Sequence, residues 1–149
     1  MIIKSLEQLN SFSEKVADYL KAKDCIFLIG DIGVGKTTFT RYLINYLQKK
    51  EGLKTTEVLS PTFNLLYEYD LKKFKIMHYD LYRIKEEKEL NNLGLFQENK
   101  NAVKIIEWPN LIKTPISDKL EIHLNYVEYD NERKLRFLGT GKWKNLNEL

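Results

Sequence analysis

The amino-acid sequence predicts an α/β domain with a mixed parallel and antiparallel sheet. First, the apolar run at 25–29 has the length of a buried strand, and an amphipathic helix follows it after a glycine-rich turn. Second, two pairs of β-rich segments are each joined by a short polar connection, which is typical of antiparallel hairpins. At 149 residues, the chain is expected to form one domain over 1–149.

The N-terminal part of the chain predicts a short strand at Ile2-Ile3 and then a helix. Ser5 and Gln8 form an S-x-x-Q capping box, which marks the start of that helix. Apolar residues at helical spacing predict its buried stripe: Leu6, Leu9, Phe12, Val16 and Leu20.

A second helix is predicted after the glycine-rich turn, starting near Lys36. Its buried positions are Phe39, Leu43 and Leu47, and its end is marked by Lys49, Lys50 and Gly52. Residues 53–61 are expected to form a mobile connection that ends at Ser60-Pro61.

The remaining segments predict two hairpins, a short helix and one more strand. The first hairpin comprises 62–70 and 74–80, and we expect it beside the strand at 25–29. A short helix at 86–94 is stopped by Gly94, and a strand at 103–108 is cut off by Pro109. The second hairpin joins 119–127 to 133–139 through 128–132.

Charge and cysteine content indicate the environment of the protein. The net charge is +3, and four of the 24 basic residues are arginines and the other 20 are lysines. The lysines are interspersed with acids, which favours a solvated surface and leaves contact with RNA or an acidic partner open. Cys25, inside a strand, is expected to be a packed thiol without a disulfide. No apolar run approaches the roughly 20 residues of a membrane span, so we expect a cytoplasmic protein.

Residues 30–37 match the phosphate-loop pattern G-x-x-x-x-G-K-[ST]. In such a turn, backbone N–H groups point at an anion, and the start of the next helix adds its positive dipole end. Lys36 would reach the β- and γ-phosphates, and the Thr37 hydroxyl would bind Mg²⁺. A chance glycine-rich turn is the alternative, but the strand before it and the helix after it favour a phosphate site.

Phosphate chemistry also needs a carboxylate at a strand end, and two are candidates. Asp80 ends the segment "IMHYD" and Glu107 ends "VKIIE". Either could hold Mg²⁺ or position water, and the pattern alone does not decide between them. His78 and His123 alternate with apolar neighbours and lack a ligand cluster, so both are interpreted as structural.

The type of nucleotide is constrained by motifs that the chain lacks. No N/T-K-x-D sequence follows the sheet, since "ENKNA" at 98–102 does not match it, and no D-x-x-G follows a strand. ATP is therefore favoured over a guanine nucleotide. The small number of arginines disfavours a small-molecule kinase, which normally surrounds the transferred phosphate with them.

Five stretches together resemble one family, the TsaE (YjeE) family of bacterial P-loop ATPases. They are "GDIGVGKTT" at 30–38, "SPTF" at 60–63, "HYDLYR" at 78–83, "ELNNLGL" at 89–95 and "IIEWP" at 105–109. The resemblance runs from about Ser5 to Tyr126 and implies a three-layer, P-loop NTPase-like domain. It departs at Val34, where the family commonly has alanine, and in its short C-terminal tail.

The resemblance also implies residue roles. The catalytic residues would be Asp80, Lys36 and Glu107, with Asp80 required for hydrolysis, and Mg²⁺ would bind at Thr37 and Glu107. Ser60 and Thr62 resemble a loop that senses the γ-phosphate. The residues expected to contact ATP are Ser5, Leu6, Asp31, Ile32, Gly33, Val34, Gly35, Lys36, Thr37, Thr38, Thr62, Trp108 and Arg133.

The function implied by the resemblance is that of an accessory protein in threonylcarbamoylation of tRNA adenosine 37. With ATP and Mg²⁺ it would act on the TsaD–TsaB pair that performs the transfer and reset it between turnovers, in contact with tRNA only indirectly. Two alternatives are a small-molecule kinase and a nucleotide-gated binding module with negligible turnover.

Overall fold

A computed structural model describes residues 1–97, 101–128 and 131–148 of the chain. The described residues form seven strands in one sheet, three α-helices and two 3₁₀ segments at Pro109–Leu111 and Gly141–Glu148. The helices are α1 (Leu6–Tyr19), α2 (Lys36–Lys50) and α3 (Glu89–Asn92). The strands are β1 (Ile2–Ile3), β2 (Cys25–Ile29), β3 (Leu66–Asp70), β4 (Lys75–Asp80), β5 (Ala102–Glu107), β6 (Lys119–Tyr126) and β7 (Arg133–Gly139).

The sheet is mixed, as predicted. Its strand order is β1-β7-β6-β2-β5-β4-β3. The four central strands β6, β2, β5 and β4 are parallel, whereas β3, β7 and β1 pair antiparallel at the two sides. Because parallel strands share a direction, the carboxyl ends of the four central strands meet at one edge of the sheet.

Both predicted hairpins are present, but the expected position of the first was wrong. β3 and β4 pair antiparallel, yet β5 lies between this hairpin and β2. β5 is buried on both faces, with Val103 and Ile105 in the core on one side and Ala102 and Ile106 in the core on the other, so it takes an interior position. β3, which is half exposed, is the outermost strand on this side of the sheet. In the second hairpin, residues 129 and 130 of the predicted connection at 128–132 lie outside the described part of the chain. Residues 98–100, which belong to the segment "ENKNA" at 98–102, also lie outside it.

Helices α1 and α2 cover one face of the sheet. Ser5 caps α1 by accepting a hydrogen bond from the Gln8 backbone N–H at 3.3 Å. The Gln8 side chain accepts from the Lys4 N–H at 2.8 Å, one residue earlier than in the usual capping box. Leu6 does not join the buried stripe: it is the first residue of the helix, beyond the sheet contact, and is 61% exposed.

The opposite face is covered by a thinner layer. It consists of the four-residue helix α3 and the loops around it, with Leu90 and Leu95 packed under the sheet. Cys25 belongs to this second core, and burial raises the pKa of its thiol to about 12. The three predicted layers are therefore unequal, and the cysteine is a packed thiol, as expected.

The connection at 53–61 has no regular secondary structure, but it is fastened to α2. Val58 is buried, and its carbonyl accepts a hydrogen bond from the Arg41 Nε at 3.3 Å. The Gln48 side chain bonds both the backbone and the hydroxyl of Thr56. These contacts with α2 hold the segment in place shortly before Ser60.

The C-terminal tail closes the end of the sheet opposite the glycine-rich turn. Trp143 is 1% exposed and joins the core of the helical face. Lys142 forms an ion pair with the buried Asp24 and donates to the Tyr19 carbonyl at 2.7 Å. Within the described part of the chain, no helix is both long and apolar enough to cross a membrane.

Candidate functional site

The glycine-rich turn links β2 to α2 at the carboxyl edge of the sheet and lies against β6. A Cβ at Gly30 would stand 2.3 Å from the Leu124 carbonyl oxygen, so only glycine permits this approach. Gly35 caps α2 with a φ of 119°, a left-handed conformation that favours glycine. The helix begins at Lys36, as predicted.

Lys36 lies over the turn and is held by it. Its Nζ donates to the Gly30 carbonyl at 2.6 Å and to the Asp31 carbonyl at 2.8 Å. The same ammonium lies 4.6 Å from the centre of the Trp108 ring, a cation–π contact. Burial lowers the pKa of Lys36, and the negative charges of Glu107 and Asp80 act against that shift.

The two strand-end acids are neighbours. Asp80 ends β4 and Glu107 ends β5, and the two residues are register partners in the parallel pair. They are 2% and 3% exposed, so Glu107 is not a solvated rim charge. A parallel pair of strands thus brings two carboxylates to the start of α2, where the loop lysine lies.

Each carboxylate has its own hydrogen-bond partners. Glu107 Oε1 accepts from the Thr37 hydroxyl at 3.0 Å and lies 2.9 Å from His78 Nε2. Asp80 Oδ2 accepts from the Thr62 hydroxyl at 2.8 Å, and its Oδ1 accepts from the Tyr82 N–H at 2.9 Å. Glu107 is thereby joined to α2, and Asp80 to the segment at 60–62.

The segment at 60–62 and Trp108 form the walls around these acids. The Ser60 and Thr62 hydroxyls lie 2.8 Å apart. Trp108 has a φ of 56°, a left-handed conformation that is uncommon for a bulky residue. Its ring centre lies 4.9 Å from that of Tyr82. This backbone conformation after β5 places the indole over Lys36, at the opening of the glycine-rich turn.

Two adjoining cavities contain nearly all of the predicted nucleotide-contacting residues. A cavity of about 160 Å³ is lined by Ile32, Gly33, Gly35, Lys36, Thr37, Thr38, Ser60, Thr62, Asp80, Glu107 and Trp108. A cavity of about 480 Å³ is lined by Ile3, Lys4, Ser5, Leu6, Leu9, Gly33, Val34, Gly35, Thr38, Asn131 and Arg133. Gly33, Gly35 and Thr38 belong to both linings. The combined space passes over the turn from the acids to Arg133.

Two predicted residues differ in their surroundings from what the sequence suggested. Asp31 lines neither cavity, and its carbonyl accepts from Lys36. The Val34 side chain is almost fully buried in the core of the helical face. Its extra methyl groups therefore extend the core, and the residue also borders the larger cavity.

Sequence reasoning missed two residues of the site. His78, interpreted as structural, is fully buried and contacts Glu107. Its signal was the H-x-D spacing, since residues two apart on a strand share a face. Tyr126 donates to the Ile32 carbonyl at 2.9 Å, and the Arg133 guanidinium lies 4.5 Å from its ring centre. This contact spans more than 90 positions of sequence, and no local pattern indicates it.

The oxygen atoms of this site fit a hard divalent cation. Among the described residues, no group of three or more histidine, cysteine or acidic side chains is arranged to hold a metal. Mg²⁺ in phosphate-transfer sites usually takes one or two protein oxygens and completes its shell with phosphate and water. The Thr37 hydroxyl and the Glu107 carboxylate supply oxygens of that kind.

A central parallel strand, a glycine-rich turn and a helix that opens with Lys36 define an α/β protein of the P-loop class. The sequence profile of one family, described as "Threonylcarbamoyl adenosine biosynthesis protein TsaE", matches residues 3–135. The chain belongs to this family.

Relatives of known name agree with this assignment. The tRNA threonylcarbamoyladenosine biosynthesis protein TsaE of Rickettsia prowazekii is 38% identical over 133 residues, which cover 89% of each chain. The protein of the same name from Bacillus subtilis is 33% identical over 138 residues, covering 91% of this chain and 82% of the relative. The crystal structure of Bacillus YdiB superposes with a TM-score of 0.71 at 25% identity, covering 98% of this chain and 88% of that one.

Proposed function

We propose that this protein binds and hydrolyses ATP with Mg²⁺ and thereby serves threonylcarbamoylation of adenosine 37 in tRNA. The observation that carries the proposal is the cluster at the carboxyl edge of the sheet. Lys36, Asp80 and Glu107 meet there beside a backbone turn of the phosphate-binding type. Family membership and the names of the relatives support the tRNA pathway.

The phosphates would bind across the turn. Backbone N–H groups at 33–38 and the N-terminus of α2 would face the phosphate oxygens. Lys36, now bonded to two carbonyls, would exchange them for the β- and γ-phosphates. The adenosine would occupy the larger cavity, bordered by Ser5, Leu6 and Arg133.

The Thr37–Glu107 pair is suited to hold the metal. The Thr37 hydroxyl donates its single proton to Glu107, which leaves oxygen lone pairs available. Mg²⁺, when bound, would neutralise charge on the phosphates during transfer. Family resemblance and this hydrogen bond both favour Glu107 over Asp80 for this role.

Asp80 is suited to act on water. Its carboxylate is held by the Thr62 hydroxyl and the Tyr82 N–H, so its orientation is fixed before any nucleotide arrives. From that position it would orient the attacking water or accept its proton. The Thr62 contact would couple the 60–62 segment to the presence of the γ-phosphate.

The surface around this cavity supports a protein partner, and we propose the TsaD–TsaB pair. Phe63 is 81% exposed, and Ile32, Leu59 and Tyr82 are also exposed close to residues of the cavity lining. Large apolar side chains in such a position are typical of interaction sites. None of the four arginines, all of which the structure describes, lines the smaller cavity, which contains Lys36 and the two acids. Slow hydrolysis in isolation is therefore expected.

Product analysis tests the proposal and separates it from its alternatives. The protein alone, with ATP and Mg²⁺, should release inorganic phosphate and bind ATP by titration calorimetry. Lys36→Ala should lose most of the affinity, by a factor of roughly 10–100, because a charge-assisted contact contributes about 1.5–3 kcal/mol.

Two other results would contradict the ATPase. A phosphorylated metabolite in place of free phosphate would indicate a kinase, and ATP binding without any turnover would indicate a binding module. Unchanged ATP affinity in Lys36→Ala would mean that the turn does not bind phosphate at all.

A further inference from the structure

We propose that His78 is a positioning residue for the metal site. Its Nε2–H holds the Glu107 carboxylate in the orientation in which this carboxylate accepts the Thr37 hydroxyl proton. This inference rests on the proposed function, because it assigns the Mg²⁺ site to Thr37 and Glu107. His78 itself would touch neither metal nor nucleotide.

The geometry joins three elements at one oxygen atom. His78 lies on β4, Glu107 ends β5 and Thr37 belongs to the first turn of α2. Glu107 Oε1 is 3.0 Å from the Thr37 hydroxyl and 2.9 Å from His78 Nε2. His78 is paired in register with Ile105, two residues before Glu107, so the ring reaches the acid along the same face of the sheet.

The tautomer of the ring is assigned from its partner. A carboxylate that holds Mg²⁺ only accepts hydrogen bonds, so we assign the proton between the two groups to His78 Nε2. The other ring nitrogen, Nδ1, is buried and has no hydrogen-bond partner among the described residues. The ring's single polar contact in this set is therefore with Glu107, which pairs the one N–H that a neutral buried imidazole must satisfy.

The consequence for the metal site concerns the Thr37 hydroxyl. This group has one proton and two lone pairs, and donation to Glu107 turns the lone pairs away from the acid. If the His78 donor were missing, the carboxylate would be free to rotate and the hydroxyl would lose its fixed acceptor. Outer-shell partners of this kind typically change metal affinity by about 10–100-fold.

Two substitutions distinguish this role from simple packing. In His78→Gln, the amide nitrogen can occupy the position of the ring Nε2 and still donate to Glu107. In His78→Asn, the amide nitrogen corresponds to Nδ1 and is too short to reach the acid. Both variants bury a neutral amide, so they differ mainly in the contact under test.

The measurement is ATP affinity by titration calorimetry, with Mg²⁺ and again with EDTA. We expect the Mg²⁺-dependent gain in affinity to fall at least about 10-fold in His78→Asn and to stay within about threefold of wild type in His78→Gln. Affinity in EDTA should be the same in all three proteins. Thermal melting checks folding, and His123→Asn, on β6 away from this cavity, is the matched control.

The outcomes separate this inference from the proposed function. Equal Mg²⁺ dependence in wild type, His78→Gln and His78→Asn overturns the positioning role while leaving the ATPase intact. Loss of Mg²⁺ dependence in a folded His78→Gln overturns it as well, and that result can be read even if His78→Asn does not fold. A wild-type protein whose ATP affinity ignores Mg²⁺ contradicts the proposed function itself.

Discussion

At the scale of single residues, the two buried carboxylates differ in what they contact. Glu107 is bonded to α2 through Thr37, whereas Asp80 is bonded to the 60–62 segment through Thr62. A group tied to the rigid helix is suited to hold a metal, since metal sites need fixed ligands. A group tied to a loop that would sense the γ-phosphate is suited to the water that attacks it. These different hydrogen-bond partners favour separate roles for Glu107 and Asp80.

Asp80→Asn should lose hydrolysis and keep nucleotide binding. Asparagine retains an oxygen for the Tyr82 N–H but cannot act as a base. We expect the rate of phosphate release to fall by about 10²–10⁴, as for loss of a general base. The ATP affinity from calorimetry should stay within a few-fold of wild type. Asp70→Asn, at the exposed end of β3, is the control. Wild-type turnover in Asp80→Asn would transfer the catalytic role to Glu107.

At the scale of secondary-structure elements, the glycine-rich turn is in close contact with β6. Gly30 lies against the Leu124 carbonyl, and Tyr126 from the same strand bonds the Ile32 carbonyl. The turn is therefore shaped by a strand that follows it by more than 80 residues in the sequence. The conformation of the turn therefore depends on tertiary contacts as well as on its glycines.

Gly30→Ala should destabilise the protein more than Gly52→Ala does. Both glycines have positive φ, but an added Cβ at Gly52 would meet nothing within 4 Å, whereas at Gly30 it would overlap the Leu124 carbonyl. We expect an additional loss in free energy of unfolding of about 1–3 kcal/mol, measured by urea denaturation. Equal losses would show that the turn can move away from β6 at little cost.

The elements whose signals are local were predicted from sequence. The strand–turn–helix unit, both hairpins and the strand-end acids Asp80 and Glu107 each follow from a pattern within one continuous stretch of sequence. The place of β5 between β2 and β4 was not predicted, because strand order depends on which strand is buried on both faces. The His78–Glu107 contact was missed for the same reason, since it requires the pairing of β4 with β5.

The candidate site follows the same division. Lys36 and Thr37 are readable from the loop pattern, and Thr62 and Trp108 came from family resemblance, since no physical rule on their own segments points to a nucleotide. Leu6 shows the converse: helical spacing assigned it to the core, but its place in the first turn leaves it exposed beside the larger cavity.

At the scale of the whole molecule, the exposed rings of Phe63 and Tyr82 lie on the same side of the molecule as the candidate catalytic acid, Asp80. Tyr82 connects them, since its N–H bonds Asp80 and its ring packs on Trp108. The Arg83 guanidinium lies over the Phe63 ring and donates to the Phe63 carbonyl. A partner that covers Phe63 would therefore press directly on the segment that holds Asp80.

Phosphate release should increase when purified TsaD–TsaB is added. Charge stabilisation supplied in trans can raise such rates by about 10³–10⁵, so an increase of at least tenfold is expected. Phe63→Ala should reduce this increase and leave the rate of the isolated protein unchanged. Leu138→Ala, an exposed apolar position on β7, is the control. Equal rates with and without the pair would rule out stimulation by docking.

The two tryptophans lie at opposite ends of the sheet, so their intrinsic fluorescence can report on two separate regions of the protein. Trp143 is sealed in the core, so its emission should stay at short wavelength until the chain unfolds. Trp108 faces the ammonium of Lys36 and the ring of Tyr82, and its emission should change when that ammonium moves to a phosphate. Intrinsic fluorescence would then report folding through one indole and site occupancy through the other, without any attached dye.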